Sequence, residues 1–183
     1  SPEIAKAKGI SGIDPATVLG FGYTMVIVGD FLAIYLAEKL KSRKRSISVF
    51  SAAGCVFFLV FLFCPFHSAN EYYLWSSMLG MTFGTWVVGS TVIAESFGTN
   101  IRATAATTIP NFSRGCVILM NFALMALKPA LGITNAMTCV GAVIFVLSII
   151  AIYLTKETYG TDLTFVDGQK LKDVTKDLVL NNA

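Results

Sequence analysis

The stretch Lys39-Leu40-Lys41-Ser42-Arg43-Lys44-Arg45 places five cations in seven residues between two long apolar runs. Hydrocarbon does not hold charge at that density, so the stretch reads as a polar connection between two membrane helices. Lys and Arg are retained on the cytoplasmic side of membrane spans. This loop therefore predicts a membrane-embedded chain and orients every segment that follows.

Composition agrees with that reading. The 183 residues are 55% hydrophobic and 14% charged, with a mean hydropathy of +0.69. A soluble domain carries about a quarter charged residues. The net charge of +3 comes mainly from the 39–45 loop, which fits inner-leaflet lipid and argues against nucleic acid as a partner. Cys55, Cys64, Cys116 and Cys139 lie in or beside apolar runs. Their spacing matches no metal or redox pattern, so they read as small buried hydrophobes, and no metal or cofactor is expected. The chain opens at Ser1 without a signal-peptide pattern and reads as a fragment of something longer.

A bilayer crossing needs about 20 mostly apolar residues. Five windows qualify: about 17–37, 46–64, 72–94, 103–127 and 132–155. The expected fold is all-α and integral to the membrane. Residues 1–16 form an external segment, 17–155 the five-helix region and 156–183 a polar cytoplasmic tail, expected to be partly disordered, in which Leu163, Phe165 and Val166 could dock. The inner side receives Lys39 to Arg45, Arg102, Lys156, Lys170, Lys172 and Lys176. The outer side receives Glu3, Lys6, Lys8, Asp14, Glu71 and Lys128. Short loops predict antiparallel neighbours. Tyr72, Tyr73 and Trp75 are expected in an interfacial aromatic belt. Gly80 and Gly84 share one helix face and allow close packing.

Ionisable groups at membrane depth are functional candidates. Asp30 lies about 12 Å along its helix from Glu38, and Arg114 about 18 Å from Arg102, at ~1.5 Å per residue. Both depths are near the middle of a ~30 Å core. Thr104, Thr107, Asn111, Arg114 and Asn121 make a polar stripe at helical spacing beside Pro110, which is expected to kink the helix. Asp30, Arg114, Asn111, Thr107 and Trp86 are the substrate or coupling candidates. The alternative for Asp30 and Arg114 is a purely structural pair. Glu38, Arg43, Glu95, Arg102 and Glu157 fall at inner helix ends and are the candidates for a cytoplasmic gating network.

Three segments carry a family resemblance. Ala37-Glu38-Lys39-Leu40 with Arg43-Lys44-Arg45 resembles the acidic-then-basic loop of major facilitator superfamily transporters. Glu95-Ser96-Phe97-Gly98-Thr99-Asn100-Ile101-Arg102 resembles their Glu-x-Phe-Pro-Thr-x-x-Arg loop. Glu157-Thr158-Tyr159-Gly160 with Leu163 resembles the Pro-Glu-Thr-x-Gly-x-x-Leu signature after the last helix. The resemblance implies the last five of twelve helices, in a bacterial inner-membrane carrier working by rocker-switch alternating access. It also implies a small solute, a proton as coupling ion, and the carrier's own N-terminal helices as partner. Asn111 and Arg114 match positions common in proton-coupled carriers of organic acids and other small metabolites. The departures are Lys41-Ser42 for the loop glycine, Gly98 for proline, Lys156 where sugar carriers place proline before the Glu, and Ser90 where many place tryptophan. They weigh against the alternative of a sugar carrier. A non-transporting membrane adaptor is the alternative from another class. An intramembrane enzyme is disfavoured, because the single histidine, His67, lies in an outer loop and no catalytic set accompanies it.

Overall fold

The computed structural model describes residues 4–5, 8–10 and 12–166. Expectations resting on Glu3, Lys6, Lys170, Lys172 and Lys176 lie outside the described residues. The described chain is all-helical and contains four helical segments long and apolar enough to cross a membrane.

Helix α1 spans Pro15–Leu40. Asp14 caps it, its carboxylate accepting from Thr17 N at 2.9 Å, and Pro15 occupies the first turn, where no N–H is missed. The helix ends at Lys41, which adopts φ 47°, ψ 42°. Ser42 N then donates to Ala37 O and Lys41 N to Glu38 O, each at 3.2 Å. This is a Schellman closure. Lys41 thus makes the tight turn for which the resemblance expects glycine, at a left-handed cost of about 1–2 kcal/mol.

Helix α2 spans Arg43–Phe63, with Ser42 as its N-cap. The connection is therefore two residues long, and Arg43, Lys44 and Arg45 are the first turn of α2 rather than a loop. Three cations at a helix N-terminus oppose the macrodipole. Negative charge must come from elsewhere, and the site below shows where.

Helix α3 spans Ala69–Met81. A 3₁₀ turn at Thr82–Gly84 separates it from α4, Thr85–Ser96. The unbroken helix expected over 72–94 is thus divided at mid-depth. Helix α5 runs Arg102–Leu154. At ~1.5 Å per residue it would be about 80 Å long if straight. Gly132 breaks it, at φ 74°, ψ 166°. Arg102 Nη2 bonds Leu163 O and Lys44 Nζ bonds Tyr153 O, so both ends of α5 reach the basic end of the bundle. The chain therefore reverses at Gly132. The expected reversal over residues 128–131 is displaced: those residues are helical, and the residue leaving helical geometry is Gly132, while Pro110 lies inside the helix. Glycine takes that positive φ without a Cβ clash.

The tightest contact joins α1 to the α3–α4 segment. A Cβ on Gly80 would strike the Gly22 backbone, and one on Gly84 the Gly29 carbonyl. A Cβ on Gly29 would strike the Met81 carbonyl. Residue numbers rise together along this contact, so the two segments run parallel although they are not consecutive. Tyr72, expected in an interfacial belt, does not face outward. It is fully buried, with its ring 5.2 Å from Phe61 and 6.3 Å from Phe66. A second core joins Ala33, Ala37, Phe50 and Val88 near the basic end. Cys64 and Cys139 are exposed rather than buried.

Candidate functional site

Two groupings emerge, one at the basic end and one at mid-depth. At the basic end Arg43 is the hub. Its Nη1 lies 2.7 Å from Glu38 Oε1 on α1, and its Nη2 lies 3.1 Å from Glu95 Oε1 on α4. The Arg43 and Glu95 side chains are 13% and 10% exposed, whereas Glu38 is 52% exposed. The Glu95 contact is therefore the shielded one, and charge pairs strengthen as water leaves.

The segment after α5 crosses this hub as a strap. Glu157 Oε1 accepts from Arg43 N at 2.8 Å, and its other oxygen accepts from Ser42 Oγ. A carboxylate thus sits on the N-terminus of α2 and offsets the misplaced cations there. Burial pushes the Glu157 carboxyl up, but hydrogen bonds from Ser42, Arg43, Tyr159 and Thr158 outweigh it and hold it below the usual carboxylate range. Thr158, nearly buried, donates to Glu95 Oε2 at 2.6 Å. Tyr159 donates to Glu38 Oε2 at 3.1 Å, which pushes its phenol up, and its ring lies 5.1 Å from the Arg43 guanidinium. Gly160 turns the strap at φ 79°.

Glu38, Arg43, Glu95 and Glu157 therefore meet. Arg102 does not join the carboxylates. Its Nε donates to Phe97 O at 3.1 Å and its Nη2 to Leu163 O at 2.8 Å. Thr99 N donates to Phe165 O at 3.0 Å. The tail expected to be loose is thus tied down as far as Phe165. Thr158 and Tyr159 are functional candidates that charge counting misses, since neither is charged. Lys44 Nζ closes the C-terminus of α5, 2.9 Å from Tyr153 O and 3.0 Å from Thr155 O.

At mid-depth Asp30 lies at the crossing of α1 with the 3₁₀ turn. Its Oδ1 is buried and has no hydrogen-bond partner among the described residues. The Asp30–Arg114 pair weighed as a structural alternative does not form. Arg114 instead donates to Asn111 Oδ1 at 3.1 Å and lies 5.5 Å from the Trp86 ring centre. Thr107 is committed to its own helix, bonding Ala103 O and Thr104 O at 3.0 Å each. Arg114, Asn111 and Trp86 are thus one group and Asp30 stands apart from it. Beside Trp86 an open cleft of about 190 Å³ separates α4 from the first arm of α5.

Comparison with family models, with curated proteins and with solved structures gives no match to this chain.

Proposed function

We propose that the chain is the C-terminal portion of a major facilitator superfamily carrier in a bacterial inner membrane. It moves a small organic acid by proton-coupled, rocker-switch alternating access, with five of its crossings in this chain and the two arms of α5 counted separately. The observation that carries the reading is the Arg43 hub. One cation joins the ends of α1 and α4 to its own helix, and Thr158, Glu157 and Tyr159 lock the strap over all three. A carrier must open and close one face repeatedly. A junction of charge-assisted contacts that can be broken together suits that task, because it biases two conformations without fixing either. Asp30 and Arg114, ionisable groups within apolar helices, supply the candidates for coupling ion and solute. The three motifs in order on one predicted face add the family resemblance.

The test is transport by the full-length protein in proteoliposomes, with an imposed pH gradient and a panel of labelled carboxylates and hexoses. The reading expects accumulation of a carboxylate, collapse of that accumulation by a protonophore, and altered rates in Glu95→Gln and Arg43→Gln. Failure to accumulate any compound would overturn the transport reading. Wild-type rates in both variants would remove the junction from the mechanism.

A further inference from the structure

We propose that the cleft between α4 and the first arm of α5 binds a monocarboxylate with a compact apolar body, of about the size and shape of benzoate. The proposal rests on the carrier reading above and names its solute class. Trp86, Gly89, Ile93, Ile109 and Pro110 line the cleft, so its walls are mostly apolar. Three hydroxyls also face it: Thr85 donates to Thr82 O at 3.3 Å and Ser90 to Trp86 O at 3.0 Å, which leaves Ser113 as the one lining hydroxyl not committed to a helix carbonyl among the described residues. A hexose would bring several hydroxyls to walls with few free partners, and each unmet group costs about 1–3 kcal/mol. An apolar body carries no such cost.

The volume points the same way. The cleft volume of about 190 Å³ is below the ~300–1,000 Å³ of drug-sized sites. The charge lies beside the cleft, behind the Trp86 ring, rather than in its lining. Arg114 lies against the Trp86 ring and is oriented by Asn111, which takes one of its five N–H donors. The remaining fork matches a carboxylate.

Gly89 is the residue that keeps the cleft open. Gly29, Gly80 and Gly84 are needed for helix approach, whereas no heavy atom of the described residues stands within 4 Å of a Cβ built on Gly89, its chain neighbours and own helix backbone aside. A mid-helix glycine costs about 1 kcal/mol relative to alanine. Close packing among the described residues does not explain that cost here, and at Gly89, unlike the equally open Gly20 and Gly115, the open space is the cleft itself.

The test is calorimetric titration of benzoate into the detergent-solubilised full-length protein. Benzoate is expected to bind saturably, Gly89→Ala to retain binding, and Gly89→Leu and Arg114→Gln each to weaken it at least tenfold. Their thermal transitions without ligand are expected to stay at the wild-type value or above, which separates a filled cleft from a misfolded one. Equal benzoate affinity in Gly89→Leu, or no benzoate binding at all, would overturn the assignment. If benzoate binds with this size grading but proteoliposomes do not accumulate it, the cleft stands and the carrier reading falls. If a hexose accumulates at a rate that Gly89→Leu leaves unchanged, the carrier reading stands and the cleft assignment falls.

Discussion

Arg43 and Glu95 lie 52 residues apart in sequence, yet the guanidinium grips one carboxylate oxygen twice, through Nη2 at 3.1 Å and Nε at 3.3 Å. Thr158 takes the other oxygen. Glu95 is therefore the one carboxylate of the cluster whose partners are all shielded, and Arg43 is the cation it depends on.

Removing that cation leaves a charge nearly buried and uncompensated. Breaking a buried pair from one side costs about 3–5 kcal/mol. Arg43→Gln is expected to destabilise the protein by an amount near the lower end of that range, because Thr158 still bonds Glu95. Arg43→Lys is expected to recover only part of the loss, since an ammonium lacks the planar fork. Thermal unfolding in detergent reads both. A change below about 0.5 kcal/mol in Arg43→Gln would show the pair to be a solvated rim contact.

The glycine contacts give a second prediction. Gly29→Ala drives a methyl into the Met81 carbonyl. A backbone atom cannot swing aside as a side-chain tip can, so α1 and the α3–α4 segment must separate. Overpacking of this kind costs about 1–3 kcal/mol. Gly20→Ala, on the same helix with open space around it, is expected to be neutral or stabilising by up to ~1 kcal/mol. Equal effects of the two substitutions on the thermal transition would contradict the close approach.

These elements differ in how far the sequence exposes them. Glu38, Arg43, Glu95 and Glu157 are charges at the ends of apolar runs, so their meeting at one face follows from helix counting. Arg102 satisfies the same rule, yet it bonds carbonyls of Phe97 and Leu163, because the path of the strap is set by contacts 60 residues distant. Gly80 and Gly84 announce close packing by spacing alone. Their partners Gly22 and Gly29 do not, because a parallel contact between non-consecutive helices leaves no local pattern. The 3₁₀ turn at Thr82–Gly84 is hidden for a related reason: Thr82, Phe83 and Gly84 are each compatible with a continuous helix, and the interruption coincides with the crossing against Gly29. Tyr72 looks like an interfacial ring by composition, and it is the cluster of Ile4, Ala5, Phe61 and Phe66 that makes it core.

Acid should release the strap. The folded-state pKa of Glu157 is depressed, so the stability it contributes is present above its unfolded value, near 4.3, and is lost as pH falls through the lower folded value. A spin label at Leu163→Cys is expected to be immobile at pH 6 and to gain mobility as pH falls below about 4. With Glu157→Gln it is expected to be mobile at pH 6 as well, since the neutral amide cannot supply the negative charge at the α2 N-terminus. A label that stays immobile from pH 6 to pH 3 would place the strap's anchorage elsewhere, with Thr158 and Arg102 as the remaining attachments.

Asp30 separates a structural role from a functional one. Its buried Oδ1 lacks a partner among the described residues, and such an atom costs about 1–3 kcal/mol. A residue kept for packing would not carry that cost at the crossing of two close helices. Replacing the carboxylate with an apolar group of similar size, Asp30→Leu, removes the unmet atom and is expected to raise stability by about 1 kcal/mol. In the same variant, solute accumulation driven by a pH gradient is expected to be lost, because no titratable group remains at that depth on α1. Higher stability with lost coupling marks a site where function opposes folding. Lower stability with normal accumulation would mean that Asp30 holds the helices together through contacts with the rest of the protein, and the coupling role would then have to move to another residue.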